Sequence, residues 1–100
     1  MGLFYTPEAV SQLKDIRSYI SEELQNPSAA RSIQEKIVAD CRLLIDFPNM
    51  GREVHLADDG RPVRLLVSGN YAVIYDIQGD DVIVVSMEDA RTNWITMLLG

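Results

Sequence analysis

The chain has 100 residues, room for one domain around one core. Apolar residues make up 47%, which excludes a disordered chain. Its 15 acidic residues outnumber its 9 Lys and Arg, giving a formal net charge of −6 that speaks against nucleic acid as the main ligand, since phosphate binding relies on cations, while leaving room for a local basic patch.

Residues 2–6 read as a short strand. Thr6-Pro7-Glu8 is then a helix start: Thr6 can cap, Pro7 suits the first helical position, and Glu8 favours the positive end of the helix dipole. Val10, Leu13, Ile16, Ile20 and Leu24 recur at helical spacing, which predicts an amphipathic helix from about Pro7 to Gln25. Asn26-Pro27-Ser28 breaks it, with Ser28 as the cap of a second helix. The stripe of that helix, Ala30, Ile33, Ile37, Cys41 and Leu44, widened by Val38 and Ile45, runs to Phe47-Pro48. So short a break predicts an antiparallel helical hairpin.

From Asn49 the period changes. Asn49-Met50-Gly51 is a turn signal. Residues 53–57 form a further candidate strand, ended by Asp58-Asp59-Gly60. Arg61 to Val67, Tyr71 to Ile77 and Val82 to Met87 are rich in Val, Ile, Leu and Tyr, as strands are. Their links, Ser68-Gly69-Asn70 and Gln78-Gly79-Asp80-Asp81, suit tight hairpins, so the strands should form an antiparallel meander. Arg91 to Leu99 could close the chain as a short helix. Helices segregated from strands predict an α+β fold, not a parallel doubly wound sheet. Strict alternation puts Tyr71, Val73, Tyr75 and Ile77 on one face of their strand, and separates Val82, Val84 and Ser86 from Ile83, Val85 and Met87 on the next. Neither face is cleanly polar, so the second is either covered by the C-terminal segment or left for a partner.

Chemistry is sparse. Cys41 is the one cysteine, best read as a small buried helix residue, and no intramolecular disulfide is possible. His55 is the one histidine and reads as a surface residue beside Glu53 and Asp58. No metal-ligand spacing or phosphate-cradling glycine loop occurs, so neither metal nor cofactor is expected. MGLFYTPEA turns polar too early for a signal sequence, and no apolar run would span a bilayer, so a cytoplasmic protein without membrane contact is expected. The arginines remain. Arg61 and Arg64, three apart in one strand, should point to opposite faces, and Arg52 and Arg91 lie near turns. Arginine forks bind carboxylates and phosphates bidentately, though with so many acids present the ordinary reading is surface ion pairing.

These pieces, in this order, resemble the RelE/ParE toxins of bacterial type II toxin–antitoxin modules, often labelled plasmid stabilisation proteins. Tyr5-Thr6-Pro7-Glu8-Ala9 through Leu13, Ile16 and Tyr19-Ile20 is similar to the family's opening. Phe47-Pro48-Asn49-Met50-Gly51-Arg52 resembles its hydrophobe-Pro-x-x-Gly turn. Arg64-Leu65-Leu66 and then Asn70-Tyr71-Ala72-Val73-Ile74-Tyr75 resembles its central hairpin, and Val82 to Met87 with Ala90-Arg91-Thr92-Asn93-Trp94 its closing strand and tail. The resemblance implies a RelE-like fold, a cognate antitoxin, and one of two targets: mRNA in the ribosomal A site, cleaved by RelE-like members, or DNA gyrase, inhibited by ParE-like members through protein contact.

The departures favour the ParE-like side. Asp89 stands where many relatives carry histidine, and Thr92 where a second arginine is common. A ribonuclease needs cations around its phosphate and usually an acid–base group, whereas this tail supplies Arg91 beside Glu88 and Asp89. The expectation is therefore a gyrase-directed toxin that does not bind DNA on its own and whose action requires no proton transfer, with enzymatic activity expected only if it is a ribosome-dependent endoribonuclease. Arg61, Arg64, Arg91 and Trp94 are the candidate target contacts, and Tyr71, Val73 and Tyr75 the candidate antitoxin contacts. In the rival ribonuclease reading Arg61, Arg64 and Arg91 hold phosphate, and a third reading is a binding module whose toxicity is lost.

Overall fold

The computed structural model describes residues 2–56 and 60–91. A short strand, β1 (Leu3–Tyr5), leads into α1 (Pro7–Ser18) and a π-helical turn at Tyr19–Glu23; α2 (Pro27–Asp46) comes next. The rest is β2 (Arg52–His55), β3 (Pro62–Ser68), β4 (Tyr71–Gln78) and β5 (Asp81–Asp89). The strands form one sheet ordered β1-β5-β4-β3-β2. From β2 to β5 it is an antiparallel meander, as expected, and β1 joins the far edge parallel to β5, making the sheet mixed. The expected strand at residues 53–57 is present, shifted toward the turn before it. The expected helix at Arg91–Leu99 lies, past Arg91, outside the described residues.

Local chemistry sets the helix starts. The Thr6 hydroxyl accepts from the Ala9 amide (3.1 Å) and lies 3.2 Å from the Val85 carbonyl, to which it donates, so the cap also ties α1 to β5. At α2 the cap is Asn26, not Ser28: its side chain accepts from the Ala29 amide (3.1 Å), and Pro27 takes the first helical position. Asn26 is held out of helical geometry by the proline after it, which is what a capping residue requires. The two hairpins turn on Gly69 (φ 58°) and Gly79 (φ 61°), a region that costs other residues energy.

Both helices cover one face of the sheet. Ile37, Cys41 and Leu44 from α2 and Ala9 and Ile20 from the first helical segment pack on Val73, Tyr75, Val82, Val84 and Met87. Burying each large apolar side chain there is worth roughly 1.5–3 kcal/mol. The α2 stripe is as expected along its inner line. The first helix departs at both ends, with Val10 and Leu24 exposed. The π turn adds a residue to the last turn, the Leu24 amide bonding the Tyr19 carbonyl, and so rotates Leu24 away from the sheet.

On the opposite face Val63, Leu65, Ala72 and Ile74 form a second buried cluster against Val54, Leu56, Val85 and Ala90. This part of the face is shielded within the chain, not left open. Strict alternation along β5 fails at one point. Ile74 pairs with Ser86 and Tyr75 with Val84, so Val85 has no partner: a β-bulge. Val82, Val84 and Met87 therefore share the helix-covered face, which corrects the alternation that grouped Ser86 with the first two.

Candidate functional site

The turn Phe47-Pro48-Asn49-Met50-Gly51 is pinned from beneath by the sheet. The Tyr75 hydroxyl accepts from the Gly51 amide (2.9 Å) and donates to the Pro48 carbonyl (2.7 Å). Arg64, beside Tyr75 in the register of β3 and β4, donates to the Asn49 carbonyl (3.3 Å) and to the Gly51 carbonyl. Burial pushes the Tyr75 hydroxyl above its ordinary pKa, so it stays a neutral donor.

Arg61 and Arg64 point to opposite faces, as their spacing requires. Arg61 pairs with Asp76 across β3 and β4 at 3.3 Å, on the face away from the helices. Arg91 forks onto Asp89, Nε to Oδ1 at 3.0 Å and Nη2 to Oδ2 at 2.7 Å. That guanidinium, with the Arg91 amide, holds the Asp89 carboxyl below the usual carboxylate range. Asp89 pairs with Tyr71 at the start of β4, while Asp76 lies near its end. Five residues of strand separate the two, roughly 17 Å at about 3.3 Å per residue. The three arginines thus do not converge: each is committed to partners of its own, at different ends or faces of the sheet.

Tyr71, Val73 and Tyr75 all lie on the helix-covered face. Val73 and Tyr75 are 0% exposed, and Tyr71, at 8%, lines a surface cavity beside α1. Trp94 lies outside the described residues. Cys41 is buried in α2, and His55 lies exposed on edge strand β2, both as read from the sequence. No group of His, Cys, Asp and Glu suited to a metal ion occurs among the described residues. Nor, among them, is any helix long and apolar enough to cross a membrane.

That cavity, about 410 Å³, is a groove between the α1–π-turn segment and the end of the β4–β5 hairpin. Ile16, Tyr71 and Met87 supply its apolar surface, Tyr19 and Leu24 stand exposed at its rim, and Asp15, Glu88, Asp89 and Arg91 carry its charge. Gln12 holds its wall. The Gln12 side-chain Oε1 accepts from the Met87 amide at 2.7 Å, occupying a donor just past the bulge. Sequence reasoning missed this groove because Leu24 fitted the helical stripe. The available signal was Gln12, a polar residue set between Ala9 and Leu13 on the buried side of α1.

Comparison with known proteins bears on the fold and the family. The family model described as ParE toxin of type II toxin-antitoxin system, parDE, matches residues 3–94. Among solved structures the chain is similar to one described as a chromosomal ParDE toxin–antitoxin system from P. aeruginosa: 19% identity, TM-score 0.75, over 91% of this chain and 97% of that one. No curated protein matches the sequence.

Proposed function

Because this chain belongs to the ParE toxins of type II toxin–antitoxin systems, we propose that it acts on DNA gyrase by protein–protein binding and is neutralised by a cognate antitoxin. The observation that carries the reading is the dispersal of the arginines. A ribonuclease must gather cations around one phosphate, and Arg61 and Arg91, each paired with a carboxylate at opposite ends of a stretch of β4 roughly 17 Å long, do not do so. A protein interface of ordinary size, about 800 Å² per partner, spans such a distance without difficulty. Its acidic surface is likewise compatible with a protein target. No acid–base group is required.

On this reading Arg61 and Arg91 are target contacts, together with Trp94 on sequence grounds. Arg64 contributes through the turn that it holds. Of the Tyr71, Val73 and Tyr75 set, Tyr71 is the most exposed and meets the antitoxin directly, while the buried Val73 and Tyr75 shape the core beneath. Gyrase being cytoplasmic, the toxin acts there.

The test is a supercoiling assay with purified gyrase. Inhibition at micromolar toxin is expected, weakened by Arg61→Ala or Arg91→Ala and relieved by the product of the adjacent reading frame. Absence of inhibition, together with A-site mRNA cleavage in a translation assay that Arg64→Ala abolishes in a folded variant, would replace this reading with the ribonuclease one. Unimpaired growth on expressing the chain alone would instead favour a module without toxicity.

A further inference from the structure

The groove between α1, the π turn and the β4–β5 end carries a charge pattern that selects its occupant. Among the described residues its lining holds three carboxylates, Asp15, Glu88 and Asp89, against one guanidinium, Arg91. Arg91 is committed to Asp89 by two side-chain bonds, which leaves that pair close to neutral. Asp15 and Glu88 make no ion pair with any described residue, although Lys14 and Arg17 flank Asp15 in sequence. Beside them stand Tyr19 and Leu24, 54% and 57% exposed, the second turned away from the sheet by the π turn. A groove with an apolar rim and surplus negative charge fits a segment that is apolar and cationic together, because Lys and Arg carry apolar stems that lie along such surfaces.

We infer that this groove receives a cationic segment of the antitoxin, its Lys or Arg heads meeting the field of Asp15 and Glu88 while a neighbouring apolar residue covers Tyr19 and Leu24. The inference rests on the antitoxin reading above and gives it an address and a chemistry. Irregular backbone borders the groove on both walls, the π turn on one and the β5 bulge on the other. The pairing also predicts a salt dependence, since partly exposed charges are screened at high ionic strength.

The probes are the whole product of the adjacent reading frame and overlapping 15-residue peptides spanning it, with binding to the full chain read by fluorescence anisotropy. Wild-type chain is expected to bind the whole product and at least one peptide containing Lys or Arg beside an apolar residue. Asp15→Asn with Glu88→Gln should weaken that peptide at least tenfold, and Leu24→Ser should weaken it as well. A control of equal charge, Glu35→Gln with Asp46→Asn on the exposed surface of α2, should leave it within twofold; thermal unfolding of each variant checks the fold. The inference is overturned if the whole product binds but the groove pair has no more effect than the control, or if the binding peptides carry no cation. If the whole product fails to bind wild-type chain at micromolar concentration, the antitoxin reading itself falls, and this occupant with it.

Discussion

The Tyr75 hydroxyl and the Gly51 amide lie 2.9 Å apart, and together they explain why the turn after α2 needs a glycine. A Cβ on Gly51 would stand 2.7 Å from the Tyr75 hydroxyl and 2.8 Å from the Leu65 carbonyl oxygen. The turn that closes the helical hairpin therefore rests on the central strands with no space for a side chain. Arg64, from the next strand, fastens the same turn by its carbonyls.

Tyr75→Phe leaves the Gly51 amide and the Pro48 carbonyl without their partner, and a stability loss of about 1–3 kcal/mol is expected in urea unfolding. Gly51→Ala should cost at least as much, through overpacking. Combining the two should not restore stability, because the Leu65 carbonyl is backbone and cannot withdraw as a side chain can. A double variant as stable as Tyr75→Phe alone would show that the hydroxyl was the whole obstruction.

Gln12→Ala should cost about 1–2 kcal/mol, since it strands the Met87 amide beside the bulge. Hydrogen exchange should locate the effect: the Met87 amide loses protection, while amides in the β3–β4 ladder change little. Equal loss throughout the sheet would mean that Gln12 supports the whole fold, not the groove wall.

The Tyr5 hydroxyl is buried without a hydrogen-bond partner and faces the Cys41 thiol. Burial pushes that thiol from 9.0 up to about 11, and raises the tyrosine too. A folded-state pKa above the unfolded one stabilises the fold fully below the unfolded value, and that contribution is lost as pH rises through the folded one. Stability should therefore decline between about pH 9 and 11, by up to about 3 kcal/mol from the thiol. Cys41→Ala should flatten this decline while lowering stability at neutral pH. Tyr5→Phe should be neutral or stabilising at pH 7, because it removes an unsatisfied buried group. A loss above about 1 kcal/mol on Tyr5→Phe would show instead that the hydroxyl–thiol contact matters.

Asp40 joins α2 to the end of β3. It accepts from the Ser68 hydroxyl at 2.7 Å and from Lys36 at 3.0 Å, and the serine first, then the lysine, holds its carboxyl below the usual carboxylate range. A depressed folded-state pKa contributes stability above the ordinary carboxylate pKa and loses it as pH falls through the folded value. Ser68→Ala should remove about 1 kcal/mol at pH 7, discounted for partial exposure, and should shrink the difference between pH 7 and pH 3 by a similar amount. Chemical unfolding at the two pH values reads both effects, and an undiminished difference would assign the acid sensitivity to other carboxylates.

The sequence by itself determined the order and type of the described helices and strands apart from the π turn, because helix periodicity, Thr6-Pro7, Pro27 and the glycine hairpins are local signals, each read within a few residues. It also determined that Arg61 and Arg64 face apart, a consequence of strand period. Only the tertiary structure decided what depends on residues distant in the chain: β1 laid parallel on β5, the bulge that turns Met87 inward, the π turn that turns Leu24 outward, and the Tyr75 hydroxyl beneath Gly51. Register, bulges and close backbone approach depend on which surfaces meet across the sheet, and no local pattern encodes that. The separation of Arg61 from Arg91 belongs to the same class, since it arises from the length of β4 between Tyr71 and Asp76 and from which carboxylate each guanidinium finds there.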